Sequence, residues 1–187
     1  MAENNFAPQQ GFLMRGLLTL VHEVGGYLDG RVRLQKVSFF LKCLGVPDFR
    51  SATYRYHYYG PYSRELSDEI HNTVLDGLLE EIVHPNPEDP KSYAYRLTEP
   101  GKKWLENASI DIRPFKQFGV DEKKLDILKK GDSKQLELAA TVVFLRKQDK
   151  NLTTAEKALE RALELKPHCI SVKGGVLQML DDLGVSV

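Results

Sequence analysis

Apolar residues recur at helical spacing along most of the chain, interrupted by two stretches with a different rhythm. Leu13, Leu17, Leu18 and Val21 share one face of a helix predicted over roughly 11–24, which Gly25-Gly26 stops. Leu34, Val37, Phe40, Leu41 and Leu44 mark a second helix within "GRVRLQKVSFFLKCLG", ended by Gly45 and Pro47. "TYRYHYY" (53–59) alternates and is rich in aromatics, which predicts a strand broken by Gly60-Pro61. Leu66, Ile70, Val74 and Leu78 then repeat every four residues and predict a third helix to about Gly77, with Ser63 as its cap. "EEIVH" (80–84), the proline-dense "PNPEDPKS" (85–92) and "YAYRLT" (93–98) read as a β-hairpin. "EPGKKWLEN" (99–107) reads as a short helix anchored in the core by Trp104.

Residues 107–120 lose this periodicity and contain Pro114 and Gly119, so a linker is predicted there. Beyond it, "DEKKLDILKK", "SKQLELAATVVFLRKQ", "TTAEKALERALELKP" and "SVKGGVLQMLDDLGV" all read as helices. Leu136, Ala140, Val143 and Phe144 turn toward a core, and Thr153 or Thr154 caps the third of these helices. The order helix–helix–strand–helix–hairpin is that of a winged helix-turn-helix. The predicted fold is therefore mainly α (α+β): a winged-helix domain over 1–106, a linker over 107–120 and a C-terminal helical subdomain over 121–187.

Charge changes what that fold is expected to do. The 26 basic and 26 acidic side chains balance, giving a pI near 7.0, whereas a dedicated nucleic-acid binder carries a basic excess. The segment from Ser63 to Glu81 holds Glu65, Asp68, Glu69, Asp76, Glu80 and Glu81 against Arg64 alone. A helix that reads a major groove needs donors facing the bases, and carboxylates facing a polyanion are repelled. Two sets of contact residues follow. A protein partner would meet Tyr59, Tyr62, Arg64, Glu65, Asp68 and Glu69, since Tyr and Arg dominate interface hot spots. The alternative, a DNA-binding transcriptional regulator, would use Arg31, Arg33 and Lys36 at the start of the second helix.

Chemistry narrows the picture by what is missing. The five histidines are scattered with no two at ligand spacing on one helix, and there is no Cys/His cluster, "HExxH", "GxxxxGK[ST]" or "GxGxxG". No metal, cofactor or catalytic residue is expected, so the chain is not read as an enzyme. Cys43 and Cys169 lie in apolar stretches and read as buried reduced thiols. The early apolar run is broken by Arg15, His22 and Glu23, which fits an amphipathic helix in a cytoplasmic protein with no membrane partner. "AEKALERALELKP" has the look of a tetratricopeptide helix but no second copy, and Ala155, Ala158 and Ala162 more simply permit close helix packing.

The densest stretch is "YHYYGPYSREL" (56–66). Alternation would send Tyr54, Tyr56 and Tyr58 to one side and Arg55, His57 and Tyr59 to the other. Gly60-Pro61 would then turn the chain and fix the acidic helix against the second helix.

"GRVRLQKVSFFLKCLG" followed by "YYGPYSREL", then "YAYRLTEPG", "LELAATVVFL" and "ALELKP...VLQMLDDLGV", resembles the YwgA-like group of small prokaryotic proteins over nearly the whole chain. "YGPYS" with an upstream "LQK" is similar also to the Panacea antitoxin domain and to the C-terminal domain of macrodomain-type DarG antitoxins. The resemblance implies a winged-helix-like fold without catalytic residues, working in toxin neutralisation or phage defence by binding a toxin or defence component. The chain holds no macrodomain, so the hydrolase activity of full DarG proteins does not carry over. Leu177, Leu180, Leu183, Val185 and Val187 leave a homodimer open.

Overall fold

A computed structural model of the chain describes residues 10–84, 92–108 and 113–186. The predicted wing tip at 85–91, part of the linker (109–112) and Val187 lie outside them. The chain opens on α1 (Gln10–Glu23), with Leu13, Leu17, Leu18 and Val21 buried as their spacing requires. Gly25 and Gly26, at φ 94° and 83°, turn it into β1 (Tyr27–Asp29), a strand too short to show any alternation in sequence. α2 (Arg31–Cys43) follows, then a 3₁₀ turn over Pro47–Phe49. α3 (Arg64–Leu75), β2 (Leu79–His84), β3 (Ser92–Leu97) and α4 (Glu99–Asn107) complete the first half. After a 3₁₀ turn at Phe115–Phe118 come α5 (Glu122–Lys130), α6 (Ser133–Gln148), α7 (Ala155–Leu165), a 3₁₀ stretch over Pro167–Gly175, and α8 (Val176–Leu183).

The described residues are mainly helical, with one small antiparallel sheet among them in the order β1-β3-β2. Leu28 faces Tyr95 across one ladder, and Ile82 faces Ala94 across the other. Helix starts follow local chemistry. Ser63 accepts from the Leu66 amide at 3.2 Å, Thr154 from Lys157 at 3.3 Å, and Asp132 from Gln135 at 3.0 Å. None of the described helices is long and apolar enough to cross a membrane.

The predicted strand "TYRYHYY" is not a strand. Arg55 and Tyr62 form an isolated bridge, and His57 and Gly60 exchange both backbone hydrogen bonds, at 3.2 and 2.9 Å. Tyr58 and Tyr59 are thus the two-residue tip of a tight hairpin on the surface. Their aromatic character imitates a strand without the buried face that strand propensity reports. Trp104 is half-buried and packs against a small cluster of Leu18, Val21, Leu79, Leu97 and Leu105, so it shares the anchoring of α4 with Leu105. α4 meets the chain before β2 at Gly101, where a Cβ would lie 2.2 Å from the Leu78 carbonyl.

The C-terminal helices pack directly on α2. One core runs from Leu17 and Phe40 through Ala139 and Val143 to Leu180 and Leu183. The predicted linker contributes to it, since Phe115 and Val120 are buried and the Phe115 amide donates to Glu23 Oε1 at 3.0 Å. A buried Phe or Leu stabilises by roughly 1.5–3 kcal/mol, which a solvated tether would forgo.

Candidate functional site

The "LQK" and "GPYS" stretches meet, and their contacts explain both. The Gln35 side-chain amide pairs with the Ser63 backbone in both directions. Its Nε2 donates to Ser63 O at 2.9 Å, and its Oε1 accepts from Ser63 N at 3.0 Å. Lys36 Nζ donates to Pro61 O at 2.8 Å. The hairpin's own backbone pairs leave Pro61 O and the Ser63 amide unserved, and two side chains of α2 supply the missing partners. Ser63 Oγ then caps α3 and donates to Glu65 Oε2 at 2.9 Å. On the other side, Gly60 (φ 83°) presses against α6, close to Thr141 and the Glu137 carbonyl. The turn therefore fixes the acidic helix against α2, as expected from the sequence.

The same clamp lifts the tyrosine tip into solvent. Tyr58 is 72% and Tyr59 48% exposed, their rings edge-on at 4.9 Å. Tyr56 is exposed as well, together with Arg55 and His57. The expected inward–outward alternation is absent because a tight hairpin, not a pleated sheet, carries these residues. Only Tyr54 turns in, edge-on to Phe39 at 5.0 Å. Beneath the tip, Lys166 (1% exposed) donates to His57 O at 3.3 Å and lies 5.2 and 5.6 Å from the Tyr56 and Tyr58 ring centres.

Arg64, Glu65, Asp68, Leu75 and Asp76 lie along α3 and its C-terminal end, with Arg64 and Asp68 3.7 Å apart. Glu65 is held below the usual carboxylate range by its own backbone amide and by the Ser63 hydroxyl. Burial, helped by nearby Asp76, pushes the half-buried Glu69 up. Glu80 and Glu81 lie on β2 rather than on the helix, and both are paired. Glu80 meets Arg96 at 3.3 Å, while Glu81 meets Arg31 at 2.7 Å and the Tyr95 hydroxyl at 2.7 Å. That leaves Glu65, Asp68, Glu69 and Asp76 against Arg64. A cleft of about 460 Å³ opens between α3, α2 and the sheet, lined by Arg31, Gln35, Tyr62, Asp68, His71 and Tyr95 among others. The structure thus brings Tyr62 and Asp68 together at the cleft, while Tyr59 stands on the hairpin tip.

The basic set predicted for nucleic acid does not form a surface. Lys36 is 1% exposed and points inward, and burial, opposed by Glu137, pushes its pKa down to about 7. Arg33 donates to the Lys129 and Gly131 carbonyls at 2.8 and 2.6 Å, closing the end of α5. Arg31 remains half-exposed but is committed to Glu81, Tyr95 and the Tyr93 ring, whose centre lies 3.4 Å away. A basic residue in a helix's first turn looks free in sequence, but here each one meets a partner distant along the chain. Long-range assembly also joins Glu137 of α6 to His168 and Cys169 after α7. The expectation of no metal ligands rests on spacing within one helix, which cannot register such a set.

No family model matches the chain. It is 30% identical to the uncharacterized protein YwgA of Bacillus subtilis (strain 168) over an alignment of 168 residues, covering 81% of this chain and 96% of that one. By that identity and that extent, the chain belongs to the YwgA family.

Proposed function

We propose that this protein is a non-enzymatic winged-helix module that binds a protein partner through the tyrosine tip and the outward face of α3. The element order α1-β1-α2-α3-β2-β3 and the sheet order β1-β3-β2 support a winged helix over 1–106, with the linker and the helical subdomain 121–187 packed against it. One observation carries the binding reading: a hairpin tip of exposed tyrosines leads directly into an acidic helix, and a buried clamp from α2 holds the turn between them. Rigid aromatics lose little entropy on binding, and the carboxylates select a basic partner surface. The likeness of "LQK" and "YGPYS" to antitoxin domains supports a setting in toxin neutralisation or phage defence.

The test is affinity capture from a lysate of the native host with wild-type protein, a Tyr58→Ala/Tyr59→Ala variant and an Asp68→Lys variant. Loss of a hot-spot aromatic costs about 2 kcal/mol, near 30-fold in affinity, so a partner retained by wild type is expected to be lost by both variants. Tyr58 and Asp68 are largely solvent-facing and Tyr59 is half-exposed, so melting curves should change little. Retention of the same proteins by wild type and variants would contradict the reading. The second reading, a DNA-binding regulator, is favoured by the same element order. It must find its positive surface outside Lys36 and Arg33.

A further inference from the structure

We propose that Glu137, His168 and Cys169 form a binding site for one divalent transition-metal ion of the zinc class, beneath the tyrosine hairpin. Their donor atoms, one carboxylate oxygen, one imidazole nitrogen and one thiol sulfur, lie within 4.8 Å of one another. Zinc bonds of about 2.0–2.3 Å place tetrahedral donors about 3.3–3.8 Å apart, so the set must close by about 1 Å. α6 holds Glu137 firmly, whereas His168 and Cys169 sit in the 3₁₀ stretch after α7, a form whose hydrogen bonds are weaker than those of an α-helix.

The second observation is the state of Glu137. It is 4% exposed, and its Oε1 accepts no hydrogen bond. Lys166 Nζ and His168 Nε2 both approach to 3.2 Å, but neither meets it at a hydrogen-bonding angle. The Lys166 ammonium offsets the charge of this buried carboxylate, but the oxygen's lone pairs stay without an aligned donor, and a metal ion would fill that place. Lys166 competes for the same oxygen. On metal binding it retains the His57 carbonyl and the faces of Tyr56 and Tyr58.

The half-exposed His168 side chain gives the ion a route from solvent and leaves the fourth position to water. A set of S, N and O donors selects zinc-like ions over the hard cations calcium and magnesium. On binding, the Cys169 S–H bond breaks, a metal–sulfur bond forms, and the proton leaves to solvent. The sequence hides the set because all of α7 separates Glu137 from His168.

Cobalt(II) titrated into the reduced, chelator-treated full chain reads the site directly. One equivalent is expected to bind, with a thiolate-to-cobalt band in the near ultraviolet and visible bands of a four-coordinate ion, and zinc(II) should displace it. Cys169→Ser should abolish the thiolate band, and Cys43→Ser should leave it unchanged. His168→Ala, a replacement at an exposed position, should weaken binding at least about tenfold. No thiolate band with the wild-type chain would overturn the proposal. So would a band that survives Cys169→Ser, or affinity unchanged in His168→Ala.

Discussion

Gly60→Ala is expected to destabilise the protein by about 2–6 kcal/mol, much of the typical stability of a domain. Two costs combine. Gly60 sits at φ 83°, a conformation that strains an L-residue by about 1–3 kcal/mol. Its new Cβ would lie 2.8 Å from Thr141 Oγ1 and 3.3 Å from the Glu137 carbonyl, and overpacking of this kind adds about 1–3 kcal/mol. Gly45 separates the two, since at φ 86° an added methyl group would meet nothing within 4 Å. Gly45→Ala should therefore show the strain alone. Urea unfolding of both variants checks this, and equal losses would mean that Gly60 is not wedged against α6.

Stability is expected to rise between pH 7 and about 9, by an amount on the order of a few kcal/mol. The source is Lys36, whose pKa falls from 10.5 to about 7 because burial, reinforced by the charge of Lys166 and opposed by Glu137, penalises the ammonium. Below pH 7 both folded and unfolded chains carry the proton, and the fold bears the full penalty. Between the folded and unfolded values the unfolded chain binds more protons, so stability increases with pH. Other groups limit the window from above. Burial raises the Cys169 thiol to about 11 and the Tyr54 hydroxyl well above its ordinary value. Stability therefore falls again as these groups ionise in the unfolded chain, beyond about pH 9–10. Denaturant titrations in EDTA should show the rise in wild type and its absence in Lys36→Met. A flat wild-type profile would show that Lys36 keeps an ordinary pKa.

Most of the helices are legible in the sequence because their apolar residues recur at helical spacing, although α2 and α6 are buried all round over 34–41 and 136–144. Leu66 and Ile70 are buried where their spacing puts them, and Ser63 caps the helix that carries them. Three-residue β1 leaves no pattern to read. The aromatic run 53–59 offers a false one, because tyrosines presented on a surface hairpin have the composition of a strand. The candidate site is legible in part. Gly60-Pro61 reads as a turn, and α3 reads as acidic. The pairing of Gln35 with Ser63 and of Lys36 with Pro61 joins residues 28 and 25 positions apart, and no local spacing encodes it. For the same reason Lys36 reads as a solvated charge, although its position one residue after Gln35 carries it inward with the clamp.

If α3 faces a protein, as proposed, and not DNA, the purified protein should ignore nucleic acid. Titration with mixed-sequence double-stranded and single-stranded DNA at low salt decides the matter. No binding is expected, because carboxylates line α3 and the basic residues of α2 are committed internally. Micromolar binding that weakens with salt, at a log–log slope of roughly −0.9 per phosphate contacted, would contradict a protein-facing α3.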